Sequence, residues 1–496
     1  MSLKIYNSFS RKKEQFDSIT PGLVGMYVCG PTVSGESHLG HARPFITFDI
    51  VYRYLMHLGY KVRYVRNITD AGHFEEEGRQ AEDKISSKAK LEKLEPMELV
   101  QKYTNLFHWA MKQFNNLEPS IEPTATGHII EQINMIETII KEGYAYEANG
   151  SIYFDVKKYA ATHDYGKLSG RVVEDLLETT RVLEGQDEKK DKADFALWKS
   201  APAEHIMRWK SPWGEGFPGW HIECSAMATK YLGNEFDIHG GGMDLMFPHH
   251  ESEIAQSTIC NHHNPARYWI HNNMITVNGK KMGKSYNNQI KLTEMFSGNH
   301  PLLTQAFSPM TIRFFILQSH YRSTLDFSSE ALVAAEKGLK RLWDSYEYLA
   351  SLAIPAVENQ TPDTDLEARI VKLLYEFDEF MNDDFNTAKI LANMFELVPV
   401  INSIKDGHLR LTVMSVATLQ LLKTYFSVYL ESVFGLRSNR EYDEKFNVVI
   451  NLLLDIRKSV RAKKDFATSD KIRDTLNASG IIIRDEKDGK MSWDIL

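Results

Sequence analysis

Cysteine is scarce: Cys29, Cys224 and Cys260 are the only three in 496 residues, too few for a disulfide framework. Long apolar runs are missing as well. The closest approach to a membrane span, Leu411 to Leu430, is interrupted by Gln420 and Lys423. The first residues, Met1-Ser2-Leu3-Lys4-Ile5-Tyr6, lack the basic-then-apolar pattern of a secretion signal, so a cytoplasmic protein with no membrane partner is expected. Positive charge is not in excess: 58 Lys and Arg stand against 66 Asp and Glu, a net charge of −8. Such a chain repels phosphates on average, which excludes indiscriminate nucleic-acid binding and leaves room for a specific RNA docked on a local basic surface. Internal repeats, low-complexity tracts and a Walker GxxxxGK[ST] loop are also absent. Without heptads, nothing demands an oligomer, and a monomer is expected.

The length exceeds what one hydrophobic core supports, so three or more domains are expected. Met26 to Cys29 reads as a short buried strand ended by Gly30-Pro31. A helix follows from about Gly40, with Phe45, Phe48, Val51, Tyr52 and Leu55 at helical spacing, and Tyr60 to Ile68 alternates like a second strand. Strand, helix and strand in this span make a βαβ unit and hence a parallel sheet. Ligands bind beyond the carboxyl ends of such strands, where Cys29 and His38 fall. A second α/β stretch runs from about Phe217 to Met282. In it Phe236 to His239 is strand-like, Gly240-Gly241-Gly242 reads as a turn, and Pro248 is expected to open a helix. Between the two stretches lies an insertion with a helical pattern from His128 to Glu142 and a charged loop from Glu184 to Asp194.

Beyond about residue 300 the pattern turns helical. Leu366, Ile370, Leu373, Leu374, Phe377 and Phe380 form one apolar stripe, and Ala388, Leu391, Met394, Phe395 and Val398 another. Ser351 to Asp363 reads as a linker, and Ile481-Ile482-Ile483, an Asp488-Gly489 turn and Met491 to Ile495 as a terminal hairpin. The expected divisions are 1–125 and 216–300 for the two halves of the α/β domain and 126–215 for the insertion. They continue with 301–350 for a region between sheet and bundle, 351–437 for the bundle and 438–496 for a small C-terminal domain.

Two short motifs carry phosphate chemistry. His38-Leu39-Gly40-His41 sits where loop becomes helix. Its histidines, three residues apart, share a face, Gly40 admits a flat base or ribose, and the helix N-terminus favours a triphosphate. Lys280-Lys281-Met282-Gly283-Lys284-Ser285 follows an apparent strand, Met274 to Val277. Each alone is also what a pair of surface histidines or a solvated basic loop looks like. Together, two close lysines and a histidine pair can enclose a triphosphate and stabilise the charge that develops on departing pyrophosphate. Separately, Cys29, Cys224, His249 and Glu253 offer soft and borderline metal ligands. His249 and Glu253 lie four residues apart on one helical face, although His250 and Glu251 leave open which pair coordinates.

The pair of motifs resembles the HIGH and KMSKS signatures of class I aminoacyl-tRNA synthetases, with Leu39 for isoleucine and Gly283 for serine. Longer stretches narrow this. Met26 to Val33, Pro218 to Ser225, Asp237 to Gly242, Asp244 to Glu251, Asn67 to Asp70, Ala193 to Lys199 and Asp383 to Thr387 resemble the cysteinyl-tRNA synthetase family over essentially the whole chain. The resemblance implies an α/β, Rossmann-like parallel-sheet catalytic domain split by an insertion, then a helical bundle and a small mixed C-terminal domain. It implies a zinc ion held by Cys29, Cys224, His249 and Glu253, with the substrate thiolate joining it. It places His38, His41, Lys281 and Lys284 in catalysis, with Lys284 stabilising the transition state. Gly40, Gly241, Gly242, Asp244 and Ser285 fall around the nucleotide, and Thr32, Trp220 and His239 around the amino acid. ATP with Mg²⁺, L-cysteine and tRNA(Cys) are the implied substrates, with Arg457 to Arg473 on RNA phosphates. The resemblance carries no site onto Ala71 to Ala81, which interrupts the familiar pattern. Three other readings compete: a cysteine–amino-sugar ligase of the mycothiol type, a zinc hydrolase built on His249, His250 and Glu253, and an RNA-binding module without activity.

Overall fold

The computed structural model describes residues 2–72, 84–171, 188–202, 205–283, 286–354, 361–438, 440–479, 481–485 and 491–495. Lys284, Ser285, most of Ala71 to Ala81 and the Asp488-Gly489 turn lie outside them. Contacts divide the chain into two compact units, Met1–Leu436 and Arg437–Leu496.

A four-stranded parallel sheet lies at the centre of the first unit. Its strands, in spatial order, are Ala266–Asn272, Phe236–Gly242, Leu23–Val28 and Lys61–Arg66. The helix Leu39–His57 makes the crossover between Leu23–Val28 and Lys61–Arg66, and Glu251–Asn261 the one between Phe236–Gly242 and Ala266–Asn272. Parallel pairing requires such crossovers, and their helices bury Phe45, Phe48, Val51 and Leu55. All four strands point the same way, so Cys29, Asn67, Gly240 to Gly242 and Ile270 to Asn272 collect along one carboxyl edge.

One local expectation is corrected here. Gly240, Gly241 and Gly242 do not turn; they continue the strand, pairing with Ile270, His271 and Asn272. The reason is helix packing: a Cβ on Gly240 would stand 2.2 Å from the Phe48 ring. The helix expected at Pro248 follows a kink at Phe247, which is extended (φ −140°, ψ 132°) as a residue preceding proline prefers; the turn from Pro248 to His250 runs into the regular helix Glu251–Asn261.

The insertion holds more strand than its sequence pattern announces. Besides the helix Ile129–Lys141 it contains a five-stranded antiparallel sheet. In order these are Ala145–Ala148, Ser151–Phe154, Phe195–Ser200, Gly214–Pro218 and Trp209–Ser211. The fourth of these runs across the division expected between 215 and 216. Strands this short, one of them glycine-rich, give too little alternation to read.

The helices Thr364–Asn382 and Thr387–Lys405 bury Ile370, Leu373, Leu374 and Phe377 on one side and Leu391, Met394 and Val398 on the other. A buried charge centre locks the bundle to the histidine-bearing helix. Asp49 accepts from Arg53 Nε at 2.8 Å and from Arg313 Nη2, and Leu117 N–H donates to its other oxygen at 2.7 Å. Arg313 also donates to the Phe434 carbonyl (2.6 Å) and to Asn116 (2.7 Å), and Arg53 to the Ser432 carbonyl (3.0 Å).

The second unit pairs the helices Arg440–Ala462 and Phe466–Ala478 with the antiparallel strands Ile481–Asp485 and Met491–Ile495. Ile450, Leu454, Leu476 and Ile481 form its core. Arg457 is 2% exposed, so it is removed from the residues expected to meet RNA phosphates. Among the described residues no helix is long and apolar enough to cross a membrane.

Asp49→Ala strands two buried guanidinium groups. It is expected to cost about 3–5 kcal/mol of folding stability in denaturant titrations; a loss below about 1 kcal/mol would mark the pair as solvent-like.

Candidate active site

His38 is the N-cap of the helix Leu39–His57, and its Nδ1 accepts the Gly40 amide at 3.1 Å. The His41 Nδ1 reaches back to the His38 amide at 3.3 Å, and the two rings stack with centroids 3.7 Å apart. A ring nitrogen that accepts carries no proton, so both imidazoles hold theirs on Nε2 and present Nε2–H as a donor. His41 is also pushed below the usual histidine range, first by desolvation and then by the neighbouring His38. A Cβ on Gly40 would lie 2.9 Å from the His38 ring, so glycine is required for the ring to cap the helix.

The lysine loop arrives from the strand Ile275–Val277. Asn278 and Gly279, both at positive φ, reverse the chain, and Lys280–Lys281 pairs back onto Thr276 and Val277. Lys281 is exposed, and the Met282 sulfur stands 3.7 Å from where a Gly40 Cβ would be. The loop therefore lies against the histidine turn, 240 residues earlier in sequence.

The metal candidates also meet. Cys29 ends the strand Leu23–Val28, and its amide donates to the Gly240 carbonyl at 3.1 Å. Cys224 comes from the helix Trp220–Leu232, Glu253 from the helix Glu251–Asn261, and His249 from the irregular turn before it. The Cys29 and Cys224 sulfurs are 3.9 Å apart, Cys29 Sγ lies 3.7 Å from Glu253 Oε1, and His249 Nε2 lies 3.2 Å from the same oxygen. Four donors at zinc bond lengths of about 2.0–2.3 Å stand about 3.3–3.8 Å from one another in a tetrahedron, so the spacing fits one zinc. All four donor atoms fall within 4.8 Å of one another.

A second set, Cys29, His239, His250 and Glu253, overlaps the first. The hydrogen bonds rank them. Glu253 turns Oε2 to His239 Nε2 (2.9 Å), and His249 Nδ1 faces His221 Nδ1 (3.0 Å). His250 holds His271 at 2.8 Å through Nδ1 while its Nε2 lies 3.3 Å from Cys29 Sγ. His239 and His221 thus stand as outer partners that orient a carboxylate and an imidazole, the usual support of metal ligands. The two-thiol set is also the softer and the better match to zinc. Glu251, left open by sequence, turns away to accept the Ser169 amide at 3.0 Å. Both Glu253 oxygens are engaged, Oε2 by His239 and Oε1 by His249.

Charge in the cage is shared. Burial and then Cys224 and Glu253 push the Cys29 thiol up; the Cys29 hydrogen bond and then His249 draw Cys224 down. Burial opposes the charged form of both His249 and Glu253, yet Cys224 and Glu253 push His249 up to about 10, and His239 with His249 hold Glu253 down to about 2. Such a cage holds a proton where a cation fits, and a metal displaces it.

Of the other expected residues, Trp220 is 37% exposed with its ring 4.4 Å from His249, at the mouth of the cage. His239 is fully buried behind Glu253, stacked on Trp269 at 4.3 Å. Thr32 and Asp244 are exposed, Thr32 bridging to Thr69, and Gly241 lies against the His250 ring. Sequence reasoning missed His221, His271 and Asn67. Asn67 accepts the Gly30 amide at 2.8 Å and lies 3.7 Å from Cys224 Sγ, joining both thiol segments. Its motif was visible, but the role depends on distant partners.

Metal-free protein is expected to take up one zinc per chain, and Cys224→Ala and Glu253→Gln to lose most of it, as read by elemental analysis after gel filtration.

Residues 15–337 match the catalytic domain of class I (C) tRNA synthetases, 376–437 the DALR domain, and 444–493 the cysteinyl-tRNA ligase anticodon binding domain. The chain is 56% identical over 495 residues to the cysteine–tRNA ligase of Phocaeicola vulgatus, covering 99% of this chain and 98% of that one. It is 46% identical over 503 residues to that of Chlorobaculum tepidum, covering 98% of each. Mycobacterium tuberculosis methionyl-tRNA synthetase in complex with methionyl-adenylate shares the fold, with a TM-score of 0.55 at 13% identity over 83% of this chain and 89% of that one. The LeuRS of Agrobacterium radiobacter K84 does so with a TM-score of 0.54 at 13% identity over 85% and 87%. Identity at that level along the full length, with the three matched segments in order, shows that the chain belongs to the cysteine–tRNA ligases, a family of class I aminoacyl-tRNA synthetases.

Proposed function

We propose that the chain activates L-cysteine with ATP, releasing pyrophosphate, and passes the cysteinyl group from the adenylate to the 3′-terminal adenosine of tRNA(Cys). The observation that carries this reading is the cage of Cys29, Cys224, His249 and Glu253 on the same sheet edge as the histidine turn and its lysine loop. Cys29, Cys224, His249 and Glu253 would hold a zinc ion, whose chemistry would favour a thiolate over the harder, far less acidic hydroxyl of serine. That difference removes the need for a proofreading step.

The chain's own groups do the rest. His38 and His41 offer Nε2–H donors to the triphosphate at the positive end of their helix. Lys281 and Lys284 stabilise the charge that develops on pyrophosphate as the cysteine carboxylate attacks the α-phosphorus in line. Trp220 closes the mouth over the amino acid, and Gly241, Gly242 and Asp244 approach the adenosine and the substrate amine. Residues 351–437 and 438–496 carry the anticodon end of the tRNA, through exposed cations such as Lys458, Arg461, Lys463 and Lys464.

Exchange of pyrophosphate into ATP is expected with cysteine and not with serine. Lys284→Ala should slow that exchange by about 10²–10³-fold while sparing zinc and cysteine binding. Deleting residues 440–496 should depress tRNA charging far more than exchange. Equal loss of both would contradict the anticodon assignment.

A further inference from the structure

We infer that Asn288 is the positioning residue that holds the lysine loop in register on the histidine turn, and that its side-chain amide sets the ATP step. The inference rests on the adenylation reading above. Asn288 is 8% exposed between exposed Tyr286, Asn287 and Lys281, a buried amide in a polar loop. Its Oδ1 accepts the Gly283 amide at 2.9 Å, and its Nδ2 donates to the Lys281 carbonyl at 3.1 Å. The two bonds bracket Met282, the residue that leans on Gly40.

Just beyond Asn288 the backbone is itself fixed to the histidine turn. The Ile290 carbonyl accepts the Leu39 amide at 3.0 Å, the Leu292 amide donates to the Ser37 carbonyl at 2.9 Å, and His38 bridges to Lys291. Asn287, at φ 49°, turns the chain so that the next side chain points back into the loop. The path therefore runs from the His38 cap through a short antiparallel bridge to Asn288, and from its amide to both sides of Met282. A primary amide suits this place because it accepts and donates at fixed separation; aspartate only accepts, and alanine does neither. Gly283 supplies no side chain to hold the loop, so the restraint comes from outside it.

The test is steady-state pyrophosphate exchange with the zinc-loaded full chain, together with hydrogen exchange of the free protein. Asn288→Ala is expected to lower kcat/KM for ATP at least about tenfold, or about 1.4 kcal/mol. KM for cysteine, bound zinc and the melting temperature should hold. Asn288→Asp, which keeps the acceptor for Gly283, should fall between the two. In the absence of substrate, the Gly283 amide should exchange at least about tenfold faster in Asn288→Ala. Unchanged ATP kinetics, or equal losses toward ATP and cysteine with a lower melting temperature, would overturn the inference. A wild-type chain that fails to exchange pyrophosphate with cysteine would instead refute the adenylation reading, and the Gly283 exchange result would then decide the latch alone.

Discussion

One backbone hydrogen bond sets the geometry of the site: the Cys29 amide donating to the Gly240 carbonyl at 3.1 Å, where two parallel strands end side by side. The Cys29 thiol meets the helix before the second strand, which carries Cys224, and the helix after it, which carries Glu253. A sulfur 195 residues away then arrives at 3.9 Å without any local motif joining the two. The carboxyl edge of a parallel sheet is open because the crossovers leave it so, and here both the cage and the histidine turn occupy that edge. The proposed thiol site and the proposed triphosphate site therefore share one sheet register.

The two halves of the site are held differently. The cage is buried and its ligands are braced by outer partners: His239 on Glu253, His221 on His249 and Asn67 beside Cys224. The histidine helix is fixed at its far end by Asp49, Arg53 and Arg313, whose remaining donors are spent on carbonyls at Asn115, Phe114, Ser432 and Phe434. The lysine loop is held more lightly among its described residues: Lys281 is exposed, its strand pairing spans two residues, and one amide side chain bonds to both sides of Met282.

Much of this was legible in sequence because the chemistry is local. A histidine pair three residues apart beside a glycine, and an imidazole four residues before a carboxylate, state their geometry in their spacing. The βαβ unit was readable for the same reason. What could not be read depends on distant partners. Gly240 to Gly242 spell a turn until Phe48 is seen against them. Strands such as Trp209–Ser211 are too short to alternate. Arg457 looks like an RNA contact by charge and is buried by packing. Of the neighbours left open in sequence, Glu251 turns away to Ser169, whereas His250 keeps its Nε2 3.3 Å from Cys29 Sγ, a contact that no local spacing announces.

The central claim is that the cage reads the substrate's sulfur directly. Zinc K-edge absorption of the zinc-loaded chain measures this without reference to turnover. The protein alone should show two sulfur neighbours at about 2.3 Å with lighter N/O ligands, and cysteine should raise the count to three while serine leaves it at two. An unchanged sulfur count with cysteine at saturation would contradict the account.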